Sequence, residues 1–81
     1  MKRDRYSSRE EALRKLLRER RLTISLRQED LAEKLGAPQS FVSKYESGER
    51  LLTFVETISI CKALELDPYG LLKEYLPHHD A

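Results

Sequence analysis

Gln39, Ser40, Ser43 and Lys44 fall within six residues and carry the most informative side-chain chemistry in this chain. An amide, two hydroxyls and an ammonium supply hydrogen-bond donors, acceptors and one positive charge. Helical phase gathers all four on one side of a short helix, opposite Val42 and Tyr45. This is chemistry for recognising a polar partner. Reaction chemistry has no comparable set: no Ser or Cys nucleophile has a plausible base beside it, no glycine loop is built to cradle phosphate, and no metal-ligand cluster stands at useful spacing. His78 and His79 are adjacent but lack further ligands, so neither a metal nor any other cofactor is expected, and the chain is not expected to be an enzyme.

These residues must be held by helices. Leu31, Ala32 and Leu35 recur at helical spacing, Gly36-Ala37-Pro38 breaks the pattern, and Phe41, Val42 and Tyr45 resume it until Ser47-Gly48. Two short helices joined by a tight turn are predicted, at about 28–35 and from Pro38 or Gln39 to Tyr45 or Glu46. Gly36 suits a left-handed helix end, and Pro38 suits the first turn of the next helix. Upstream, Ser7-Ser8 with Glu10-Glu11 offers two overlapping S-x-x-E boxes that open a helix ending near Arg20 to Leu22, with Leu13, Leu16 and Leu17 as its buried stripe. Ile24 and Leu26 are expected to plug the following loop into the core. Thr53 with Glu56 opens a fourth helix, apolar on most sides through Leu64 and expected to be the central buried one. Asp67-Pro68 opens a fifth, running to about Tyr75 and crowded with Leu71, Leu72, Tyr75 and Leu76. That surface either closes the core or serves as a dimer face.

At 81 residues the chain suits one small domain, and 40% hydrophobic residues supply a core. The organisation predicted is a basic arm at 1–7, expected to be mobile, a helical domain at 8–76 and a short tail at 77–81. No apolar run is long enough to span a bilayer and no signal-peptide core follows the first residues, so a soluble cytoplasmic protein is expected. The single cysteine, Cys61, cannot form an internal disulfide and is read as a small buried apolar residue. Net charge is only +1, but residues 1–27 hold ten Lys/Arg against four Asp/Glu (+6), while residues 28–81 hold five against ten (−5). Such a basic end is compatible with a polyanionic partner or with a plain solvated helix face.

Gln28, the run LAEKLG at 31–36, PQSFVSKYESGER at 38–50, then Glu56, Leu64 and Asp67-Pro68 together resemble the lambda-repressor-like (Xre, phage-repressor) DNA-binding family over about residues 12–72. The resemblance implies an all-α, compact five-helix domain with the helix-turn-helix at helices 2 and 3. It implies double-stranded DNA as partner, with Gln39, Ser40 and Lys44 facing bases and Gln28 clamping a phosphate, near Arg27, Ser47 and Arg50. A glutamine amide can pair bidentately with adenine, a hydroxyl serves several bases, and Lys44 can reach guanine or a phosphate. Ser43 shares their phase and is read as either a base or a backbone contact. The resemblance also implies a buried pair between Arg21 and Glu46, and a homodimer on two half-sites. Two departures stand out. Arg27 replaces the family's Thr or Ser N-cap, for which a phosphate contact by Arg27 is the expected compensation. Ser25 stands where many members have Gly. Phe41 lies at the border between core and outer face, and is assigned to shielding a loop rather than touching a thymine methyl.

The function expected is a sequence-specific transcriptional regulator, a repressor, that reads the major groove with helix 3. Alternatives of the same fold are an antitoxin or a restriction-modification controller protein. A different class, a helical protein-interaction module that has lost DNA binding, draws support from the acidic C-terminal two-thirds and Glu49. Lys2, Arg3 and Arg5 are read as disordered rather than as a minor-groove arm.

Overall fold

Five helices follow one another in the computed structural model, which describes residues 3–79: α1 (Ser8–Thr23), α2 (Gln28–Leu35), α3 (Gln39–Ser47), α4 (Phe54–Ala63) and α5 (Pro68–His79). Lys2 of the expected arm and Asp80 and Ala81 of the expected tail lie outside the described residues. Local capping explains most of the boundaries. Ser7 Oγ accepts the Glu10 N–H at 3.2 Å and opens α1. Only half of the expected capping box forms there. The Ser7 N–H donates to the Asp4 carbonyl, and the Glu10 carboxylate takes the Arg3 guanidinium instead. At α4 the box is complete, with Thr53 Oγ1 accepting the Glu56 N–H at 3.0 Å and Glu56 accepting the Thr53 N–H at 2.9 Å. At α5, Asp67 Oδ1 accepts the Tyr69 N–H at 3.1 Å, and Pro68 is the first helical residue.

The turn between α2 and α3 rests on Gly36, at φ +66° and ψ +32°, whose N–H reaches the carbonyls of Ala32 and Glu33. A side chain there would oppose the left-handed conformation. Of the two expected starts of α3, Pro38 and Gln39, the second is observed. With ψ +153° Pro38 stands outside α3 as an extended N-cap, and the helix begins at Gln39. Ser25 also adopts the left-handed region, at φ +59°, so the loop keeps the shape a glycine would favour and carries the strain of a serine in it.

α2 packs most closely on α3, and α1 and α4 bridge this pair to α5. The shared core comprises Leu17 of α1, Leu31 and Ala32 of α2, Val42 and Tyr45 of α3, Ile60 and Cys61 of α4, Leu71 of α5, and Leu52 and Leu64 from the connecting segments, with Ile24 and Leu26 packed against it. Burial pushes the Cys61 thiol pKa up, which keeps it protonated and unreactive. Arg20 closes the α4 end from α1, its Nε donating to the Leu64 carbonyl at 3.0 Å and its Nη2 to that of Glu65 at 2.9 Å.

Two expectations about the last helices are corrected. α4 is buried only through Ile60 and Cys61. Phe54 and Val55, in its first turn, are 80% and 72% exposed because that turn projects past the core. α5 continues through Pro77 to His79 instead of ending near Tyr75. Proline removes one N–H and crowds the preceding turn, but near a helix end few bonds are lost. No described helix is long and apolar enough to cross a membrane.

Candidate nucleic-acid interface

Burial of Val42 and Tyr45 fixes the rotation of α3 about its axis. Gln39, Ser40 and Lys44 are thereby turned to solvent, and among the described residues their side chains have no internal hydrogen-bond or ionic partner. Ser43 is half-buried and its hydroxyl donates to the Ser40 carbonyl at 3.2 Å. The four residues therefore divide into three free side chains and one that is already engaged within the helix.

Phe41 stands at the edge of this face. Its ring lies 5.7 Å from that of Tyr45, tilted by 58°, and the Arg50 guanidinium sits 4.8 Å from its centre. It acts as a shelf that holds the loop after α3.

The residues read as phosphate contacts are each engaged by neighbours. Arg27 has no side-chain oxygen to cap α2. Only the reciprocal half of a capping box forms: the Asp30 carboxylate accepts the Arg27 N–H at 2.9 Å and also two guanidinium N–H groups at 3.1 Å. Glu29 lies 3.5 Å from the same guanidinium. The hydrogen bond from Arg27 holds the Asp30 carboxyl below its usual range, and Asp30 in turn raises the Arg27 pKa. Gln28 donates from Nε2 to Glu46 at 3.0 Å. Ser47 donates to the Lys44 carbonyl at 3.0 Å and accepts the Glu49 N–H at 3.4 Å.

Arg50 forms a bidentate pair with Glu56, at 2.9 and 2.7 Å. This pair, helped by the Thr53 N–H, holds the Glu56 carboxyl down at about 2. Glu56 was legible as a capping residue, but its grip on Arg50 was not. The six-residue spacing crosses a loop and matches no helical rule.

Behind the face lies the pair that the resemblance implied. Arg21 donates from Nε and Nη2 to the two Glu46 carboxylate oxygens at 2.7 and 2.9 Å, and from Nη1 to the Leu26 carbonyl at 2.8 Å. Both side chains are under 10% exposed. Together with the Gln28 contact this network ties α1, α2, the loop between them and the end of α3 into one unit. The exposed segment before α1 is also engaged. Arg3 donates to Glu10 and to the Leu52 carbonyl, and Arg5 to the Glu49 carbonyl, where a disordered arm was expected.

Among the described residues no group of three His, Cys, Asp or Glu side chains is placed to hold a metal. What the geometry provides is a rigid helix pair whose second member presents an amide, a hydroxyl and an ammonium, surrounded by arginines held on carboxylates. Fold and face define a helix-turn-helix protein.

The comparisons agree. A family model described as a helix-turn-helix domain matches residues 12–71. An XRE-family like protein from Pseudomonas syringae pv. tomato is 42% identical, with a TM-score of 0.84 over 89% of this chain and 88% of its own. Structures of the restriction-modification controller protein C.Esp1396I are also similar. A point mutant is 26% identical (TM-score 0.82, 89% of this chain and 91% of its own), and the tetramer in complex with its natural 35 base-pair operator is 25% identical (TM-score 0.81, 88% and 93%). No curated protein matches. The chain belongs to the Xre-type helix-turn-helix family and is a DNA-binding transcriptional regulator.

Proposed function

We propose that this protein is a sequence-specific repressor that binds operator DNA as a homodimer, each α3 lying in a major groove. The observation that carries the reading is the state of Gln39, Ser40 and Lys44: exposed, without internal partners, and oriented by the burial of Val42 and Tyr45 on the opposite side of the helix. Gln39 pairs with an adenine edge, while Ser40 and Lys44 contact neighbouring bases. Ser43 completes the same face from a hydroxyl bonded within the helix. Arg27, Gln28, Ser47 and Arg50 contact phosphates, which position the protein without reading sequence. To reach DNA, Arg27 and Arg50 exchange the carboxylates of Asp30 and Glu56 for phosphate oxygens. The exchange lowers the net gain from each contact relative to an unpaired arginine.

Dimerisation draws support from the outer side of α4 and α5. Phe54, Tyr69 and Leu72 are exposed and line an apolar groove of about 830 Å³ beside Leu71 and Tyr75, and Leu76 extends the surface along α5. Two copies joined there would present two α3 helices to half-sites about 34–36 Å apart. Occupancy of such an operator blocks access of polymerase to the same DNA, and the reading places the protein in the cytoplasm, with the DNA. Similarity to C.Esp1396I favours a second, narrower reading, a restriction-modification controller, because that protein has been solved on its natural operator.

Selection of bound sequences from a random duplex pool, followed by titration of the best site across salt concentrations, tests the proposal. A palindromic motif with half-sites about one turn apart and a steep salt slope is expected. Recovery of no motif would refute sequence-specific repression and favour the interaction-module alternative.

A further inference from the structure

Two guanidinium groups flank the loop that leaves α3. Arg14, on α1, lies against Gly48 so closely that a Cβ at 48 would stand 3.0 Å from the guanidinium carbon. Gly48 thus serves both its φ of +90° and the approach of this cation. Arg14 Nη1 donates to the Arg5 carbonyl at 3.0 Å, and Arg5 Nη1 donates to the Glu49 carbonyl at 3.0 Å. The Arg5 guanidinium also lies 5.0 Å above the Tyr6 ring. Each guanidinium carries five N–H donors, and each commits one to these contacts. Neither forms an ion pair among the described residues, unlike Arg3, Arg21, Arg27 and Arg50. Of the carboxylates close by, Glu10 is engaged with Arg3 and Asp4 with the Tyr6 N–H, while Glu11 and Glu49 form no ion pair with either guanidinium among the described residues.

We propose that Arg5, held on the Glu49 carbonyl, and Arg14, packed on Gly48, form a phosphate-binding pair that extends the duplex contact of α3 along the DNA backbone. The proposal rests on the DNA-binding reading above. Although Glu49 lies on the same loop, neither guanidinium pairs with its carboxylate among the described residues, and a polyanion would supply the counter-charge that the two cations lack. The planar fork of arginine matches phosphate oxygens, and bracing against backbone carbonyls means less side-chain freedom is lost on binding. The loop itself leads directly from the end of the base-reading helix and carries Arg50. Arg5 and Arg14 therefore stand where a backbone continuing past those bases would run.

The test compares the full-length wild type with Arg5→Gln and with Arg5→Gln/Arg14→Gln. Each is titrated on the best selected duplex and on random duplex through a salt series, with ethylation interference to map contacted phosphates. The double variant is expected to select the same motif and to bind both duplexes more weakly, on the order of tenfold. Its slope of log K against log salt should be smaller by about 1.8, near 0.9 for each phosphate released. Interference at the corresponding phosphates should disappear. Arg5→Gln leaves Arg14 packed on Gly48 and should show about half the slope change, so a folding defect in the double variant does not obscure the result. Unchanged slopes and interference in both variants, with a wild type that binds its motif, would overturn the proposal. A wild type that selects no motif would instead overturn the reading on which it rests.

Discussion

Replacing Glu46 with glutamine should destabilise this protein more than any other single change at the interface. Glu46 accepts three hydrogen bonds, two from Arg21 and one from Gln28, while only 4% of its side chain reaches solvent. An amide in its place keeps one acceptor and turns an NH2 group toward N–H donors of Arg21 or Gln28. The Arg21 guanidinium is then a buried cation without a counter-charge, a loss of roughly 3–5 kcal/mol. An 81-residue domain has a total stability of roughly 4–12 kcal/mol, so the loss consumes much of it. In melting temperature it corresponds to about 4–8 °C for each kcal/mol. Urea unfolding followed by circular dichroism measures the change directly, provided the slope against denaturant is unchanged. Arg21→Met should also be harmful, though less so, because the Glu46 carboxylate loses its bidentate partner but keeps Gln28 at 3.0 Å and the exposed Arg18 at 3.9 Å. Arg21→Met/Glu46→Leu removes both charges and should lose clearly less than the sum of the single variants. Stability within about 1 kcal/mol of wild type for both single variants would show that the pair is not what holds α1 to α3.

Four further outcomes follow from the same structure. Ser25→Gly relieves a serine held at φ +59° and should raise stability by about 0.5–1 kcal/mol in thermal or urea unfolding; a loss would mean the serine side chain contributes something the geometry does not show. The Glu56 carboxyl is held down at about 2 in the folded protein, below its usual value of 4.5, so its stabilisation is present above pH 4.5 and declines as pH falls toward 2; Glu56→Gln should flatten that part of the stability profile, with a difference of about 1–2 kcal/mol at neutral pH after allowing for solvent screening. Gln39→Ala should weaken the best site by roughly 1–3 kcal/mol and relax one base position, whereas Arg50→Ala should weaken all duplexes alike and reduce the salt slope; equal losses on specific and random DNA for both would reject this division of roles. Leu72→Glu, on the exposed side of α5, should shift the protein toward monomer in sedimentation and weaken operator binding without altering the fold; an unchanged mass would move the interface elsewhere.

Much of the fold was legible because it is set by short-range chemistry. Ser7, Thr53 and Asp67 announce helix starts through side-chain oxygens that reach N–H groups two or three residues on, and Gly36 announces a turn through its backbone alone. Helical phase also placed Val42 and Tyr45 inside and Gln39, Ser40 and Lys44 outside, because once one side of a short helix is buried the other is defined. Phase does not reveal how far each helix projects beyond its neighbours. Val55, expected within a central buried helix, therefore lies in solvent beside Phe54.

The sequence by itself determined the helices, the turn and the outward face of α3, since these follow from interactions spanning a few residues. Arg21 and Glu46, twenty-five residues apart, could be paired only by family resemblance, and the crossing of α1 with α3 brings them together. The tertiary structure alone decided which charge meets which. Arg50 is drawn to Glu56 across a loop, Arg5 is drawn onto the Glu49 carbonyl after α3, and Arg14 packs on Gly48 while donating to the Arg5 carbonyl. A charge's partner depends on where helices cross and loops return, and no periodicity encodes that.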